Sequence, residues 1–199
     1  RDLADHDPSF VGFCGPDMAV LRWIRSLFAT DYYIISLTTD VVGLECAVAL
    51  KNGYALGTAL AIGMAEKAGD DGVNHNNSEA ALFQESVIEM LKLLRVVGGG
   101  TEHIMYAAGD LNVTVAAGRS RTVGLLLGKG MPMEEIKEQL KGQTLEAVVI
   151  ATRTARVVRA LAKAGTVKES DFPLLLHVDA LLNRGAKLNI PWKEFQKEM

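Results

Sequence analysis

The chain has 199 residues with 21 basic and 24 acidic side chains, a formal net charge of −3; 49% of it is hydrophobic and 19 residues are glycine. That apolar share excludes a disordered chain, the mildly acidic balance excludes a dedicated nucleic-acid binder, and the length sets one domain with at most a small leading piece. Two cysteines, Cys14 and Cys46, are too few for a disulfide framework or a four-cysteine metal site, and they read as reduced thiols of a cytoplasmic protein.

The opening Arg1-Asp2-Leu3-Ala4-Asp5-His6-Asp7-Pro8 is charged where a secretory signal is apolar, and without an initiating methionine it reads as a cut or processed start. Phe10–Cys14, punctuated by Gly15-Pro16, predicts a strand ending in a turn. Asp17 is placed to cap a helix with Val20, Leu21, Ile24, Leu27 and Phe28 at three-to-four spacing. Tyr32–Thr38 is dense in β-formers and predicts a second strand. Strand, helix and strand make half of an α/β layer, which cannot bury both faces of its strands alone.

From Asp40 onward the pattern is helical. Asp40 caps a long apolar helix over 41–68 that Gly69 ends. Glu45, Lys51 and Asn52 inside that run are costly in lipid, so it predicts a buried helix and no membrane span. Ser78 starts a second helix that stops at the glycines 98–100, and Thr101 caps a short third one up to Gly109. The glycine-spaced stretch 109–130 reads as irregular. Pro132 opens a helix to about Leu140, Glu146 to Ala164 is another, Asp171 and Pro173 open one that Gly185 closes, and Pro191 opens the last. There is no internal repeat or low-complexity tract.

Charge is divided unevenly. Residues 1–99 carry 7 basic and 13 acidic side chains, while 100–199 carry 14 and 11, and an anion site is sought between Arg119 and Lys163, where nine basic residues stand against four acidic ones. Arg153, Arg156, Arg159 and Lys163 fall on one helical stripe and read as a solvated face. His177, between leucines, reads as a satisfied histidine.

Lys51-Asn52 in the middle of an apolar helix has two readings: the ammonium snorkels to the surface, or it lines a cleft and meets an anion or a carboxylate. Glu45 and Asn52 lie nearly two turns apart on one face, which offers Glu45 as a structural partner. Further on, Gly109-Asp110-Leu111-Asn112-Val113-Thr114, Gly118-Arg119-Ser120-Arg121-Thr122 and Gly124 to Gly130 combine glycines, hydroxyls and arginines, as an oxyanion site requires. A glycine-rich connection with surface arginines explains the same residues. Gly124–Gly130 is not a P-loop, because Val123 and Gly130 stand where that motif needs glycine and a hydroxyl, and no G-x-G-x-x-G occurs. Asp70–Asn77 is rich in oxygen donors but lacks the spacing of a calcium loop, so no metal is expected there.

These segments, in this order, resemble the C-terminal domain of NAD(P)-dependent glycerol-3-phosphate dehydrogenase. Asp40-Val41-Val42-Gly43-Leu44-Glu45 with Ala49-Leu50-Lys51-Asn52 is similar to that family's D-x-x-G-x-E…A-L-K-N signature. Gly109-Asp110-Leu111 with Thr114 and Ser120-Arg121, then Leu125–Gly130 and Gly142-Gln143-Thr144-Leu145-Glu146, resemble its later motifs. The likeness runs over roughly residues 30–185. Thr122 stands where the family carries asparagine, two residues fewer precede Gly124, and Ala147 replaces a glycine.

The resemblance implies a mainly α fold: an all-helical, 6-phosphogluconate-dehydrogenase-like domain over 40–199, preceded over 1–39 by the last strand–helix–strand of an otherwise absent Rossmann domain. It implies Lys51 as general acid/base at the C2 oxygen of a small phosphorylated triose, with Asn52, Asp110 and Thr114 around that substrate. Ser120, Arg121 and Thr122 are implied as phosphate binders; Arg121, Gln143 and Glu146 as groups near NAD or NADP. The implied reaction interconverts sn-glycerol 3-phosphate and dihydroxyacetone phosphate and supplies phospholipid synthesis, in a fragment inactive without its cofactor domain. Thr122 leaves room for another small phosphorylated or hydroxy-acid substrate. A non-catalytic helical dimerisation or binding module is the reading of a different class, with Ala55–Gly69 as the surface of a homodimer.

Overall fold

The computed structural model describes residues 3–69 and 76–195. Two strands, β1 (Ser9–Cys14) and β2 (Tyr33–Thr38), pair in parallel from Ser9 opposite Tyr33 to Cys14 opposite Thr38, joined by α1 (Met18–Phe28). Asp17 caps α1, its Oδ1 accepting from the N–H of Ala19 at 2.7 Å. This small layer leaves much of its apolar surface bare: Phe10, Trp23, Leu27 and Phe28 are each more than half exposed. Two strands and one helix have too little partner surface to cover one another, as their sequence implies.

Everything else packs around one helix. α2 (Val41–Lys67) runs for 27 residues, and α3 (Asn76–Val96), α4 (Ile104–Ala116), α5 (Arg119–Gly128) and α7 (Glu146–Lys163) surround it. α6 (Met133–Gln139) and α8 (Pro173–Asn183) close the bundle; 3₁₀ turns at Thr101–His103, Glu169–Asp171 and Trp192–Phe195 complete it. α2 is largely apolar on all sides over residues 53–61, where it is enclosed, while its first turns keep an exposed face with Val42 and Glu45. Ala55, Leu56, Ala59 and Leu60 are fully buried against the chain's own helices, so the expected dimer surface over Ala55–Gly69 is interior for most of its length.

Glycine sets how close α2 and α5 come. A Cβ on Gly124 would stand 2.7 Å from that of Ala59, and one on Gly128 would stand 2.9 Å from the Cα of Gly63. The two backbones touch where side chains elsewhere hold helices 8–10 Å apart. Gly124 and Gly128 are therefore packing residues, which corrects their reading as oxyanion-loop glycines.

The stretch 109–130 is also not irregular. α4 continues through Gly109 to Ala116, because Ala107, Leu111 and Val115 recur at helical spacing and all bury in the core, while Gly109 has open space around it. One glycine in an exposed turn costs a helix only about 1 kcal/mol, which the three buried apolar side chains outweigh. Over the described residues, the segment opened by Pro191 is a 3₁₀ turn, Trp192–Phe195, and not an α-helix.

Two buried acids hold the bundle's far side. Glu89 of α3 is fully buried and accepts from the N–H groups of Leu174 at 2.7 Å and Leu175 at 3.1 Å, capping α8 from 85 residues away in sequence. Asp179 of α8 is 3% exposed and lies 2.8 Å from Arg159 Nη2, with Asn183 Nδ2 donating to it at 2.8 Å. Arg159 thus leaves the solvated stripe expected of it and neutralises a buried carboxylate, whereas Arg153, Arg156 and Lys163 are exposed as predicted. His177 is half-buried, its Nε2 accepting from the N–H of Asn189 at 3.4 Å, and burial holds its imidazole below the ordinary value.

Candidate active site

Lys51 lies on the side of α2 that faces α4. Its ammonium pairs with the carboxylate of Asp110, and the lysine side chain is only 16% exposed against 38% for the aspartate. Of the two readings of a lysine in an apolar helix, the structure shows the cleft with a carboxylate. Glu45, offered as the partner, sits on the exposed face of α2. Thr114, one turn beyond Asp110, is half-buried and donates from Oγ1 to the carbonyl of Asp110 at 2.7 Å.

A cavity of about 240 Å³, reached from α2 by Asn52, the residue after Lys51, opens where α2, the start of α5 and the start of α7 converge; Lys51, Asp110 and Thr114 are not on its wall. Asn52, Gly118, Arg119, Ser120, Thr144 and Glu146 are on its wall. Gly118 has φ 105° and ψ 179°, a backbone open to glycine alone, and with no side chain it leaves the first N–H groups of α5 uncapped. An uncapped helix start, an arginine, a serine hydroxyl and the Asn52 amide make a wall of hydrogen-bond donors suited to an oxyanion.

The structure therefore brings Asn52, Ser120 and Glu146 to one cavity and puts Lys51, the residue before Asn52, in contact with Asp110. Arg121 and Thr122 are in the same turn of α5 but off the cavity wall; Thr122 spends its hydroxyl on the Gly118 carbonyl at 3.2 Å. Gln143 is exposed in the α6–α7 connection, and its neighbour Thr144 takes the cavity position. The sequence offers Arg119 only as one arginine of a candidate oxyanion stretch, and gives Thr144 no role. The signal for Arg119 was available: it directly follows Gly118 at a helix start, where a side chain meets the same ligand as the free N–H groups.

A second cavity of about 630 Å³ lies at the C-terminal end of α2, walled by Met64, Met131, Met133 and Leu188, and contains none of these residues. Among the described residues no cluster of His, Cys, Asp and Glu is arranged to hold a metal ion, and no helix is long and apolar enough to cross a membrane. The Asp70–His75 part of the candidate calcium loop lies outside the described residues.

Fold and site together define a helical domain with a lysine–carboxylate pair and a donor-lined pocket. The family described as NAD-dependent glycerol-3-phosphate dehydrogenase C-terminus matches residues 40–192, and the chain belongs to that family. The chain is 31% identical over 143 residues to the NADP(+)-dependent glycerol-3-phosphate dehydrogenase of Archaeoglobus fulgidus, covering 71% of this chain and 42% of that protein. It is 30% identical over 190 residues to the glycerol-3-phosphate dehydrogenase [NAD(P)+] of Francisella tularensis, covering 94% and 52%. The chain thus spans about half the length of the curated relatives it matches. The solved glycerol-3-phosphate dehydrogenase of Saccharomyces cerevisiae superposes with a TM-score of 0.69 at 26% identity, over 98% of this chain and 55% of that one. That of Coxiella burnetii superposes at 0.71 with 23% identity, over 98% and 55%, and shows the shared fold.

Proposed function

We propose that this chain is the substrate-binding part of an NAD- or NADP-dependent glycerol-3-phosphate dehydrogenase, interconverting sn-glycerol 3-phosphate and dihydroxyacetone phosphate. The observation that carries the reading is the Lys51–Asp110 pair with, at the neighbouring Asn52, a donor-lined cavity of about 240 Å³. That volume suits a triose phosphate and is below the 300–1,000 Å³ of a drug-sized ligand's pocket. With two strands and no G-x-G-x-x-G, residues 1–39 read as the last strand–helix–strand of a nucleotide-binding domain, and 40–199 as the substrate domain. The cofactor would rest mainly on that domain, reaching this chain at the rim that Glu146, Gln143 and Arg121 border.

NAD or NADP, when bound, would supply the hydride chemistry at C2. Lys51 gives a proton from Nζ to the C2 oxygen in reduction and takes one from the C2 hydroxyl in oxidation. Asp110 holds the ammonium in place and screens its charge, while Asn52 and Thr114 hydrogen-bond the triose. The phosphate lies against the start of α5, held by its bare N–H groups, Ser120 and Arg119, with Arg121 and Thr122 in the same turn. A cytosolic setting accords with two free cysteines.

The test is oxidation of NADH and of NADPH with dihydroxyacetone phosphate, with a nucleotide-binding domain joined upstream of residue 1 and Lys51→Met as control. Turnover that the substitution abolishes supports the reading. A folded protein inactive with both cofactors overturns it, leaving the binding-module alternative.

A further inference from the structure

Asp40 ends the β layer and opens α2, and its one carboxylate ties three segments together. Oδ1 accepts from the N–H of Gly43 at 2.8 Å, in the first turn of α2. Oδ2 accepts from the N–H of Gly100 at 2.6 Å and lies 3.1 Å from Nε2 of His103. Gly100 and His103 belong to the short segment from which α4 starts. These bonds, Gly100 first and Gly43 next, hold the Asp40 carboxyl below its ordinary value, so it is charged throughout the neutral range.

His103 is 2% exposed, its Nδ1 is buried without a hydrogen-bond partner among the described residues, and its Nε2 meets Asp40 at contact distance but off the line of a hydrogen bond. A buried imidazole so sparingly bonded is held by geometry around it. The backbones there touch: a Cβ on Gly99 would stand 2.6 Å from the Cα of Gly43. The β layer rests on the same spot. Tyr106, with its ring centre 6.4 Å from that of His103, stacks on Phe10 of β1 at 6.0 Å. A Cβ on Gly12 of β1 would reach Leu44 of α2 at 3.0 Å and Tyr106 at 3.4 Å.

The two helices that start at this contact are the two that carry the Lys51–Asp110 pair. We propose that Asp40 and His103 are positioning residues, the joint that fixes the β layer, α2 and α4 in one register and so sets Lys51 and Asp110 against a cofactor held on the β-layer side. Leverage makes the joint matter. Asp40 to Lys51 is about 16 Å along a helix, so a tilt of ~5° at Asp40 moves the lysine's Cα by ~1.4 Å. Misplacement on the order of 1 Å can cost a reaction about a hundredfold. The catalytic half of this inference rests on the proposed dehydrogenase reading; the mechanical half does not.

The experiment compares Asp40→Asn, His103→Leu and His103→Gln by two measurements. Amide hydrogen exchange on the chain itself is expected to quicken at least about tenfold in β1, β2 and the first turns of α2 and α4 for the first two variants, with α7 and α8 unchanged. In the two-domain enzyme, kcat is expected to fall at least about tenfold for the same two while KM for dihydroxyacetone phosphate stays within about twofold, and His103→Gln to recover most of the loss. Should Asp40→Asn fail to fold, the His103 pair decides. Unchanged exchange in the β layer overturns the joint, as does wild-type kcat in both variants of an active enzyme. Quickened exchange in a protein whose wild type shows no turnover sustains the joint and sinks the dehydrogenase reading instead.

Discussion

Glu89 of α3 caps the backbone of Leu174 in α8 from inside the core, at 2.7 Å and with no solvent contact. Burial pushes this carboxyl from 4.5 up to about 8, against the pull of the Leu174 and Leu175 N–H groups in the other direction. Tyr54, buried beside it on α2, has its phenol pushed well above the ordinary range by burial and by Glu89. A carboxyl whose value is raised in the fold binds its proton more tightly there than in the unfolded chain. Its contribution to stability is therefore fully present below pH 4.5 and is lost as pH rises to about 8.

Glu89→Gln keeps an acceptor for one N–H and removes the titration. Urea unfolding at pH 5, 7 and 9 should show wild-type stability falling across that series and the variant much flatter. Glu89→Leu leaves both N–H groups buried and unpaired, and should cost about 1–3 kcal/mol at pH 5 for each group left bare. Equal pH slopes for wild type and Glu89→Gln would show that Glu89 is ionised in the fold.

The α2–α5 contact predicts opposite effects for two glycines in one region of sequence. Gly128→Ala drives a methyl into the carbonyl of Leu60 and toward Gly63, and overpacking of that kind costs about 1–3 kcal/mol or more. Gly109→Ala meets open space on an exposed helix turn and should stabilise by roughly 0.5–1 kcal/mol. Thermal unfolding of the two variants separates packing from propensity, and equal shifts would contradict the close approach.

What the sequence made legible divides along the same line. The caps at Asp17 and Asp40, the strand pair and the long apolar α2 were readable because each is signalled within a few residues. The lysine in α2 announced itself by its cost, yet its partner, Asp110, is brought to it by the packing of α4 on α2, which no local pattern encodes. The same applies to Glu89, whose bonding partners lie 85 residues away, and to Arg159, which a stripe of like charges concealed. Gly109, Gly118, Gly124 and Gly128 look alike in sequence but do three jobs: filling an exposed helix turn, opening a helix at positive φ, and letting two helices touch. Only the tertiary arrangement distinguishes them.

For the Lys51–Asp110 pair, the proposed chemistry separates charge from shape. Lys51→Met should lower kcat by about 10²–10⁴ in the two-domain enzyme, the range lost with a general acid/base, while thermal unfolding stays near wild type. Asp110→Asn keeps the shape but releases the ammonium, and should lower kcat less than Lys51→Met does. A double variant no slower than Lys51→Met alone is expected if the two side chains act as a unit. Full activity of Lys51→Met would remove the lysine from the mechanism.

The arginines of α5 supply the sharpest contrast between motif and geometry. Family resemblance points to Arg121 as the phosphate ligand, whereas Arg119 is the arginine on the cavity wall, next to Gly118 and Ser120. A charge-assisted bidentate contact is worth about 1.5–3 kcal/mol, so Arg119→Ala should raise KM for dihydroxyacetone phosphate roughly 10- to 100-fold. Arg121→Ala, one step off the wall, should raise it several-fold less. Inorganic phosphate, titrated calorimetrically into the chain itself, should follow the same order without any cofactor present. If Arg121→Ala is the more damaging in both measurements, the phosphate sits on the other side of the α5 start and the cavity is not its site.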